Sequence, residues 1–135
     1  MAIILDTDVI IRGEKGTFDL ATWLENRPNE PCEIAAITVA ELWHGVERSS
    51  GAHKVRRERY LRSISEALPI LPYTEATALE HARIWASLES EGTMIGAHDL
   101  IVAATALERG SMVATFNQRH FAMVPGLNVL EPSLP

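Results

Sequence analysis

The sequence predicts a three-layer α/β fold, with a central parallel sheet of about four to five strands and helices on both faces. Short apolar runs alternate along the chain with longer amphipathic stretches, which is typical of strands joined by helical crossovers. Apolar residues make up 47% and charged residues 22% of the 135 residues, an ordinary globular composition. We therefore expect a single domain over residues 1–135.

The first predicted strand covers residues 2–6 and ends in two acids that are one residue apart. Asp6 and Asp8 interrupt apolar sequence that resumes at once with Val9. Further short apolar runs predict strands over residues 33–39, 69–73, 111–116 and, as a candidate fifth strand, 127–132. Parallel strands would place Asp6 and Asp8 at the carboxyl edge of the sheet, where folds of this class bind ligands.

Helices are predicted where apolar residues recur at helical spacing, over residues 17–27, 38–48, 53–68, 74–92 and 97–110. Pro28 follows the first of them, and Gly92 and Gly110 end the last two, as glycine often does at helix C-termini. The same spacing assigns Val55 and Trp85 to core-facing positions. These helices would supply both outer layers of the fold.

Composition also narrows the setting in which the protein is expected to work. Cys32 is the only cysteine, so no intrachain disulfide can form, and a reducing, cytoplasmic location is the better prediction. We expect Cys32 to be a small buried apolar residue. The N-terminus lacks the basic start and cleavage site of a signal peptide, and no apolar stretch approaches the ~20 residues that span a bilayer. We therefore expect no membrane association.

The net charge of −6 argues against a surface that is positively charged throughout for binding nucleic acid, although a local basic groove is compatible with it. Half of the twelve Lys and Arg residues fall within residues 48–62, namely Arg48, Lys54, Arg56, Arg57, Arg59 and Arg62. This stripe could neutralise phosphates, form a solvated helix face or dock an acidic partner segment. Arg12 and Arg119 lie beside acidic motifs and could reach a phosphate or be ordinary surface residues.

Aspartate is rare, and three of the four aspartates fall where the predicted sheet should end. Besides Asp6 and Asp8, Asp99 is predicted in the first turn of an apolar helix. Glu41 is predicted in the first turn of the helix after the second strand, and Asn117 follows the fourth strand. Carboxylates brought together repel one another, and a hard divalent cation with oxygen ligands removes that cost. The pattern therefore predicts a Mg²⁺ or Mn²⁺ site with an activated water.

Each of these residues also has a purely structural interpretation when it is taken alone. Thr38 and Glu41 fit a capping box, in which Glu41 only stabilises the start of its own helix. Asp99 could complement a helix dipole, Asp8 could occupy a turn and Asn117 a loop. Their joint placement at successive strand ends favours a functional site.

Four segments, in order, resemble the PIN-domain ribonucleases, specifically the VapC-type toxins of bacterial type II toxin–antitoxin systems. ILDTDVII resembles the family's opening strand and first acid, and ITVAELWHGVER resembles the helix with the second acid. GAHDLIVAATAL is similar to the helix with the third acid, and VATFNQRHFAMVPGLNVLEP to the closing segment. The resemblance covers essentially the whole chain. It implies a PIN-like fold, Mg²⁺-dependent cleavage of RNA with Mn²⁺ as a substitute, a homodimer, and an antitoxin that occludes the site.

The resemblance implies that Asp6, Glu41 and Asp99 are catalytic. Asp6 and Asp99 are the main expected metal ligands, and Glu41 and Asp8 are further candidates. Supporting or substrate-contacting roles are expected for Thr7, Thr38, Thr115, Asn117 and His120. The RNA-binding candidates are Arg12, Arg56, Arg57, Arg59 and Arg119. We also expect a partner segment carrying Arg to enter the acidic pocket, because a guanidinium pairs well with carboxylates.

The chain departs from the family pattern at His120, where the family often carries a fourth acid before the Phe of the closing segment. Replacing a carboxylate with imidazole removes one negative charge, so a second metal is expected to be held less well. Asp8 stands where the family often has Asn or Ser, and could compensate in part.

Two alternatives remain open at this level. An apolar strand followed by Asp-x-Asp also opens phosphohydrolases of the haloacid-dehalogenase type, which work through an aspartyl-phosphate. That mechanism needs a downstream lysine, and the only lysines are Lys15 and Lys54. The second alternative is a PIN-like module that binds RNA or protein without catalysis, against which the presence of Asp6, Glu41 and Asp99 argues.

Overall fold

The computed structural model describes residues 1–134 as a five-stranded sheet flanked by helices. The strands are β1 (Ile3–Leu5), β2 (Cys32–Ala35), β3 (Ile70–Leu71), β4 (Met112–Ala114) and β5 (Val129–Leu130). The helices are α1 (Thr7–Lys15), α2 (Leu20–Glu25), α3 (Ala36–Glu47), α4 (Gly51–Ala67), α5 (Glu75–Ser90), α6 (Ala97–Arg109) and α7 (Gln118–Phe121). All neighbouring strands are parallel, in the order β3-β2-β1-β4-β5, which confirms the predicted fold class. None of the helices within residues 1–134 is long and apolar enough to cross a bilayer.

Strand β1 lies in the centre of the sheet and is buried on both faces. Ile3, Ile4 and Leu5 have no exposed surface. Ile4 packs in one hydrophobic cluster with Val102 of α6, whereas Ile3 and Leu5 pack on the other face in a cluster with Trp23 of α2. A parallel strand covered on both faces is a continuous apolar run in sequence, which is why this strand could be predicted.

The order of strands reverses between β1 and β4, and this reversal positions the candidate site. Strands β2 and β3 lie on one side of β1, and β4 then returns to its other side, with Leu5 opposite Ala114. The backbone amide of Asp6 extends this pairing by donating to the carbonyl of Ala114 at 2.9 Å. The carboxyl ends of β1 and β4 therefore form the crevice in which open α/β sheets bind ligands.

Helix α1 begins directly after β1, and the apolar pattern does not predict it. The Asp6 side chain caps the helix by accepting a hydrogen bond from the Thr7 amide at 2.8 Å. Gly16 ends the helix in the left-handed conformation with φ of 76°, and Val9 and Ile10 are fully buried. Asp6 therefore interrupts the apolar run because it both ends a strand and begins a helix. The short α7 is likewise absent from the prediction.

The predicted strand over residues 33–39 is wrong in its second half. Strand β2 ends at Ala35 and α3 begins at Ala36, so tertiary packing overrides the β preference of the branched residues 37–39. Glu41 consequently lies in the second turn of α3 and not in the first. Ala35 is the N-cap and makes no side-chain capping bond, which contradicts the capping box proposed for Thr38 and Glu41.

Two predicted core positions are also wrong. Val55 of α4 is 54% exposed and Trp85 of α5 is 53% exposed. Leu61 is the single buried residue of α4, so this helix contacts the core along a narrow stripe. The Trp85 ring lies on the surface, stacked on His81 at a centroid separation of 5.6 Å. Cys32, in contrast, is buried as predicted.

Candidate active site

Asp6 is the most buried carboxylate at the carboxyl edge of the sheet, with 5% of its surface exposed. Its Oδ1 accepts from the Thr7 amide at 2.8 Å, and its Oδ2 accepts from the Thr115 hydroxyl at 2.8 Å. Thr115 directly follows β4 and is fully buried. The pairing of β1 with β4 thus brings together two residues from opposite ends of the chain.

Asp8, in the first turn of α1, lies beside the same threonine. Its Oδ2 accepts from the Phe116 amide at 3.0 Å and from the Thr115 hydroxyl at 3.4 Å. Its Oδ1 is buried and has no hydrogen-bond partner within the described residues. We call Asp6, Asp8 and Thr115 the buried cluster.

Glu41 and Asp99 approach the buried cluster from α3 and α6. The Thr7 hydroxyl donates to Oε1 of Glu41 at 3.0 Å, which links the start of α1 to α3. Nδ1 of His98 lies 3.3 Å from Oε2 of Glu41, and Nδ1 of His120 lies 3.6 Å from Oδ2 of Asp99. We call Glu41, Asp99, His98 and His120 the exposed rim, because each is at least partly accessible to solvent.

Asn117 connects the rim to the buried cluster. Its amide donates to the Thr115 hydroxyl oxygen at 2.9 Å, and its Nδ2 lies 2.8 Å from Nδ1 of His120. The structure thus places His120 between Asn117 and Asp99.

The acids act on one another electrostatically. Burial, followed by the negative charge of Asp8, raises the pKa of Asp6 to about 7, although hydrogen bonds from Thr115 and Thr7 oppose the shift. Burial also raises the pKa of Asp8, against the hydrogen bond from the Phe116 amide. The pKa of Asp99 is raised by burial and by the charge of Glu41, while His120 opposes the shift. Ionising all these groups together is therefore unfavourable without a cation.

The donor set fits a hard divalent cation, although it is not closed around one point. Across residues 1–134, no group of three or more His, Cys, Asp or Glu side chains is close enough to hold a metal ion as it stands. The charges of Asp8 and Asp99 nevertheless both act on Asp6, and the partnerless Oδ1 of Asp8 is a buried oxygen with ligand capacity to spare. Oxygen ligands of this kind suit Mg²⁺ and Mn²⁺. Binding requires the rim carboxylates to close on the buried ones.

The other candidate residues are placed unequally. Arg57 donates from Nε to Glu14 at 3.0 Å, so its charge is already paired with α1. Arg56, Arg59 and Arg119 are exposed, and the Arg12 guanidinium lies over the Phe116 ring at 4.0 Å from its centroid. The Thr38 hydroxyl is buried without a hydrogen-bond partner among the described residues.

The sequence analysis did not identify two residues that the structure brings to the acids. His98 reaches Glu41, and its position next to Asp99 is the signal that could have identified it. Phe116 contributes its amide to Asp8 and its ring to Arg12. No pattern in the sequence predicts the contacts of Phe116, because they depend on how β1 and β4 pair.

This fold and site match a known class of protein. A family model described as the PIN domain matches residues 3–127. The chain therefore belongs to the PIN domain family. This assignment confirms the resemblance seen in the four sequence segments and leaves the aspartyl-phosphate phosphohydrolase alternative without support.

Within the family, the chain is similar to several VapC ribonucleases. It is 31% identical over 134 residues to Ribonuclease VapC1 of Rickettsia felis, with 98% of each chain covered. It is 34% identical over 140 residues to the VapC ribonuclease Y4jK of Sinorhizobium fredii, covering 98% of this chain and 99% of that one. It is also 32% identical over 96 residues to the tRNA(fMet)-specific endonuclease VapC of Salmonella typhimurium, covering 71% of each.

Solved structures of toxin–antitoxin complexes share the fold. The chain matches VapBC2 from Rickettsia felis bound to a DNA fragment from their promoter with a TM-score of 0.90, at 25% identity and with 97% of this chain and 98% of that chain covered. It matches FitAB bound to an IR36 DNA fragment with a TM-score of 0.83, at 33% identity, covering 98% and 97%.

Proposed function

We propose that residues 1–135 form one PIN domain that acts as a Mg²⁺-dependent endoribonuclease, the toxin of a toxin–antitoxin pair. The observation that carries this proposal is the convergence of Asp6, Asp8, Glu41 and Asp99 at the carboxyl ends of β1 and β4. There, burial and the charges of Asp8 and Asp99 raise the pKa of Asp6, and burial and the charge of Glu41 raise the pKa of Asp99. The similarity to VapC ribonucleases along almost the whole chain supports the same activity.

In this proposal the chain's own residues have distinct tasks. Asp6 and Asp99 hold the metal, with Asp8 and Glu41 as further oxygen ligands. A divalent cation bound there activates water and stabilises charge on the phosphodiester. Thr115 orients both buried aspartates through its hydroxyl, and Thr7 fixes the carboxylate of Glu41. Mn²⁺ substitutes for Mg²⁺ because it accepts the same oxygen ligands.

An antitoxin is the proposed protein partner, and the protein is proposed to work as a homodimer in the cytoplasm. The solved complexes VapBC2 and FitAB support the antitoxin. The acidic site is suited to an arginine from that partner, because a guanidinium can pair with two carboxylate oxygens and neutralise part of the cluster. Such an arginine would occlude the site in the absence of RNA.

Metal-dependent cleavage tests the proposal directly. Purified protein, free of any partner, is incubated with initiator tRNA and with total cellular RNA in Mg²⁺, Mn²⁺ or EDTA. We expect endonucleolytic products in either metal and none in EDTA. Asp99→Asn should reduce the rate on the order of 10³-fold or more, because it removes charge stabilisation of several kcal/mol at the metal. Asp19→Asn is the matched control, since Asp19 caps α2 outside the site and asparagine caps equally well.

Undiminished cleavage in EDTA, or by the Asp99→Asn variant, would contradict the nuclease proposal. Binding of RNA without cleavage would instead support the PIN-like module that lacks catalysis. For the antitoxin, co-expression with the product of the adjacent gene should give a stable complex that does not cleave RNA. A wild-type protein that is harmless when expressed alone would count against a toxin.

A further inference from the structure

Arg12 is held in an unusual way beside the acidic site. It lies one helical turn after Asp8 on the same face of α1, yet within residues 1–134 no carboxylate lies within ion-pair distance of its guanidinium. The guanidinium instead rests on the Phe116 ring, 4.0 Å from the centroid. Stacking on an aromatic face fixes the plane of the group and leaves its N–H donors free at the edges.

Phe116 is held by one contact of its ring and one of its backbone. The Phe18 ring packs edge-on against it, with centroids 5.3 Å apart and planes at 75°. Behind the ring, the Phe116 amide donates to Oδ2 of Asp8 at 3.0 Å. The backbone that supports the ring thus also holds a carboxylate of the buried cluster, and Arg12 is attached to the site at a defined position.

Three other arginines of the chain allow a comparison. Arg62 also lies over an aromatic ring, that of Trp43 at 5.1 Å, but in the last third of α4 rather than beside the acids. Arg27 lies over Trp23 in a similar way, at 4.7 Å, but its Nη1 is paired with Glu30 at 2.6 Å. Arg57 is paired with Glu14 across the α1–α4 contact. Arg12 therefore has a fixed guanidinium plane, unpaired donors and a position at the carboxyl edge of the sheet. Neither Arg27 nor Arg57 has all three properties.

We propose that Arg12, supported by Phe116, binds a backbone phosphate of the RNA substrate next to the carboxylate cluster. The inference rests on the proposed ribonuclease function and names one of its substrate contacts. A phosphate suits these donors because a guanidinium binds two phosphate oxygens at once. Fixing a neighbouring phosphate determines which phosphodiester enters the acidic cluster. The contact is independent of base identity, because it reads only the backbone.

The proposal is tested by RNA binding in a background that cannot cleave. Asp99→Asn protein, alone or combined with Arg12→Gln, is titrated with a fluorescein-labelled single-stranded oligoribonucleotide of mixed sequence in Mg²⁺ at several KCl concentrations. Loss of a charged hydrogen-bonding contact should weaken binding about 10-fold or more. The slope of log K against log salt should decrease by about one phosphate contact, roughly 0.7 for a single strand.

Two further variants separate the contact from general charge. In the same Asp99→Asn background, Arg27→Gln removes the same charge from the opposite edge of the sheet and should leave both the affinity and the salt slope close to those of the parent. Phe116→Leu retains an apolar side chain and the hydrogen bond from the backbone amide to Asp8, but it removes the aromatic face on which Arg12 stacks. It should therefore also weaken RNA binding, by a smaller factor than Arg12→Gln. In cleavage assays of the otherwise wild-type chain, Arg12→Gln should raise KM more than it lowers kcat.

Several outcomes would overturn the proposal. Arg12→Gln and the parent protein binding with the same affinity and salt slope would show that Arg12 does not contact phosphate. Failure of the parent to bind the oligonucleotide would do the same. A variant that binds RNA normally but no longer binds the antitoxin would assign Arg12 to the protein partner. Loss of the ribonuclease proposal itself is recognised separately, since the wild-type chain would then cleave no RNA in Mg²⁺.

Discussion

The buried cluster and the exposed rim contribute acids to the same site but are built in opposite ways. Asp6 is 5% exposed and both of its oxygens accept hydrogen bonds from the protein. The side chains of Glu41 and Asp99 are 26% and 24% exposed, and each faces a more exposed histidine. The cluster is fixed by the pairing of β1 with β4, whereas the rim residues belong to three helices, α3, α6 and α7.

The difference shows how the site can be both ordered and adjustable. Desolvation falls mainly on Asp6, whose pKa is raised to about 7, so the energetic cost of the site is concentrated on its most buried acid. We expect the rim to close when a cation binds, because its side chains are partly solvated. We expect the buried cluster to define where the metal lies and the rim to define how tightly it is held.

The largest expected effect is on the pH dependence of the free energy of unfolding, and it comes from Asp6. An acid whose pKa is higher in the folded state than in the unfolded state stabilises the fold below its unfolded pKa, and this contribution is lost as the pH rises through the folded value. In EDTA, the free energy of unfolding of the wild type should therefore fall between about pH 4 and 7. A shift from 3.8 to about 7 corresponds to a loss on the order of 4 kcal/mol, as an upper estimate.

Asp6→Asn should remove this pH dependence, so the inactive variant should be more stable than the wild type at pH 8. Urea unfolding at pH 5 and pH 8 in EDTA measures the difference. Asparagine remains a good N-cap for α1, so the helix start is retained. If the free energy of unfolding changes equally with pH in the two proteins, ionisation of Asp6 does not destabilise the fold.

Thr115→Val is expected to have the next largest effect, because it removes the hydroxyl that joins the buried cluster. Oγ1 donates to Asp6 at 2.8 Å and accepts from the Asn117 amide at 2.9 Å. Residues that orient metal ligands typically change affinity or activity 10–100-fold when lost. Steady-state cleavage rates and Mg²⁺ titrations should both show a loss in this range. Thr115→Ser, which retains the hydroxyl, should recover most of it, and failure of this rescue would point to a packing defect.

The smallest expected effect is at His120 on the rim. His120→Asp puts a carboxylate in place of an imidazole whose Nδ1 lies 3.6 Å from Oδ2 of Asp99, so it should tighten Mn²⁺ or Mg²⁺ binding several-fold. His120→Ala should retain measurable activity. Isothermal calorimetry compares these proteins with His53→Asp, which adds the same charge on the exposed start of α4. Identical isotherms for His120→Asp and the wild type would place His120 outside the metal site.

The placement of the acids at one edge of the sheet was largely predictable, because these acids break strong local patterns. Asp6 interrupts a buried strand, and Asp99 is the acid in the first turn of an otherwise apolar helix. Both patterns are local in the sequence and can be recognised without knowledge of the tertiary packing. Glu41 was predicted at the site for a partly wrong reason, since α3 begins earlier than its branched residues suggest and places the acid in the second turn.

Other features depend on tertiary contacts that no local pattern contains. Helix α1 has a polar face and only two fully buried residues, so its apolar signal is weak, and its capping residue doubles as a predicted ligand. The ring of Phe116 reaches Arg12 only because β4 lies beside β1. Val55 was misplaced because helical spacing identifies a face without showing whether any neighbour covers it.

The hydrogen bond between Thr115 and Asp6 joins residues that are 109 positions apart. On the ribosome, Asp6 is therefore made well before β4 and Thr115. A nascent or truncated chain that lacks residues 112–117 has neither β4 nor Thr115, so it cannot assemble the buried cluster. Domains generally fold as units during synthesis, so the buried cluster should form only after residues 112–117 have been made.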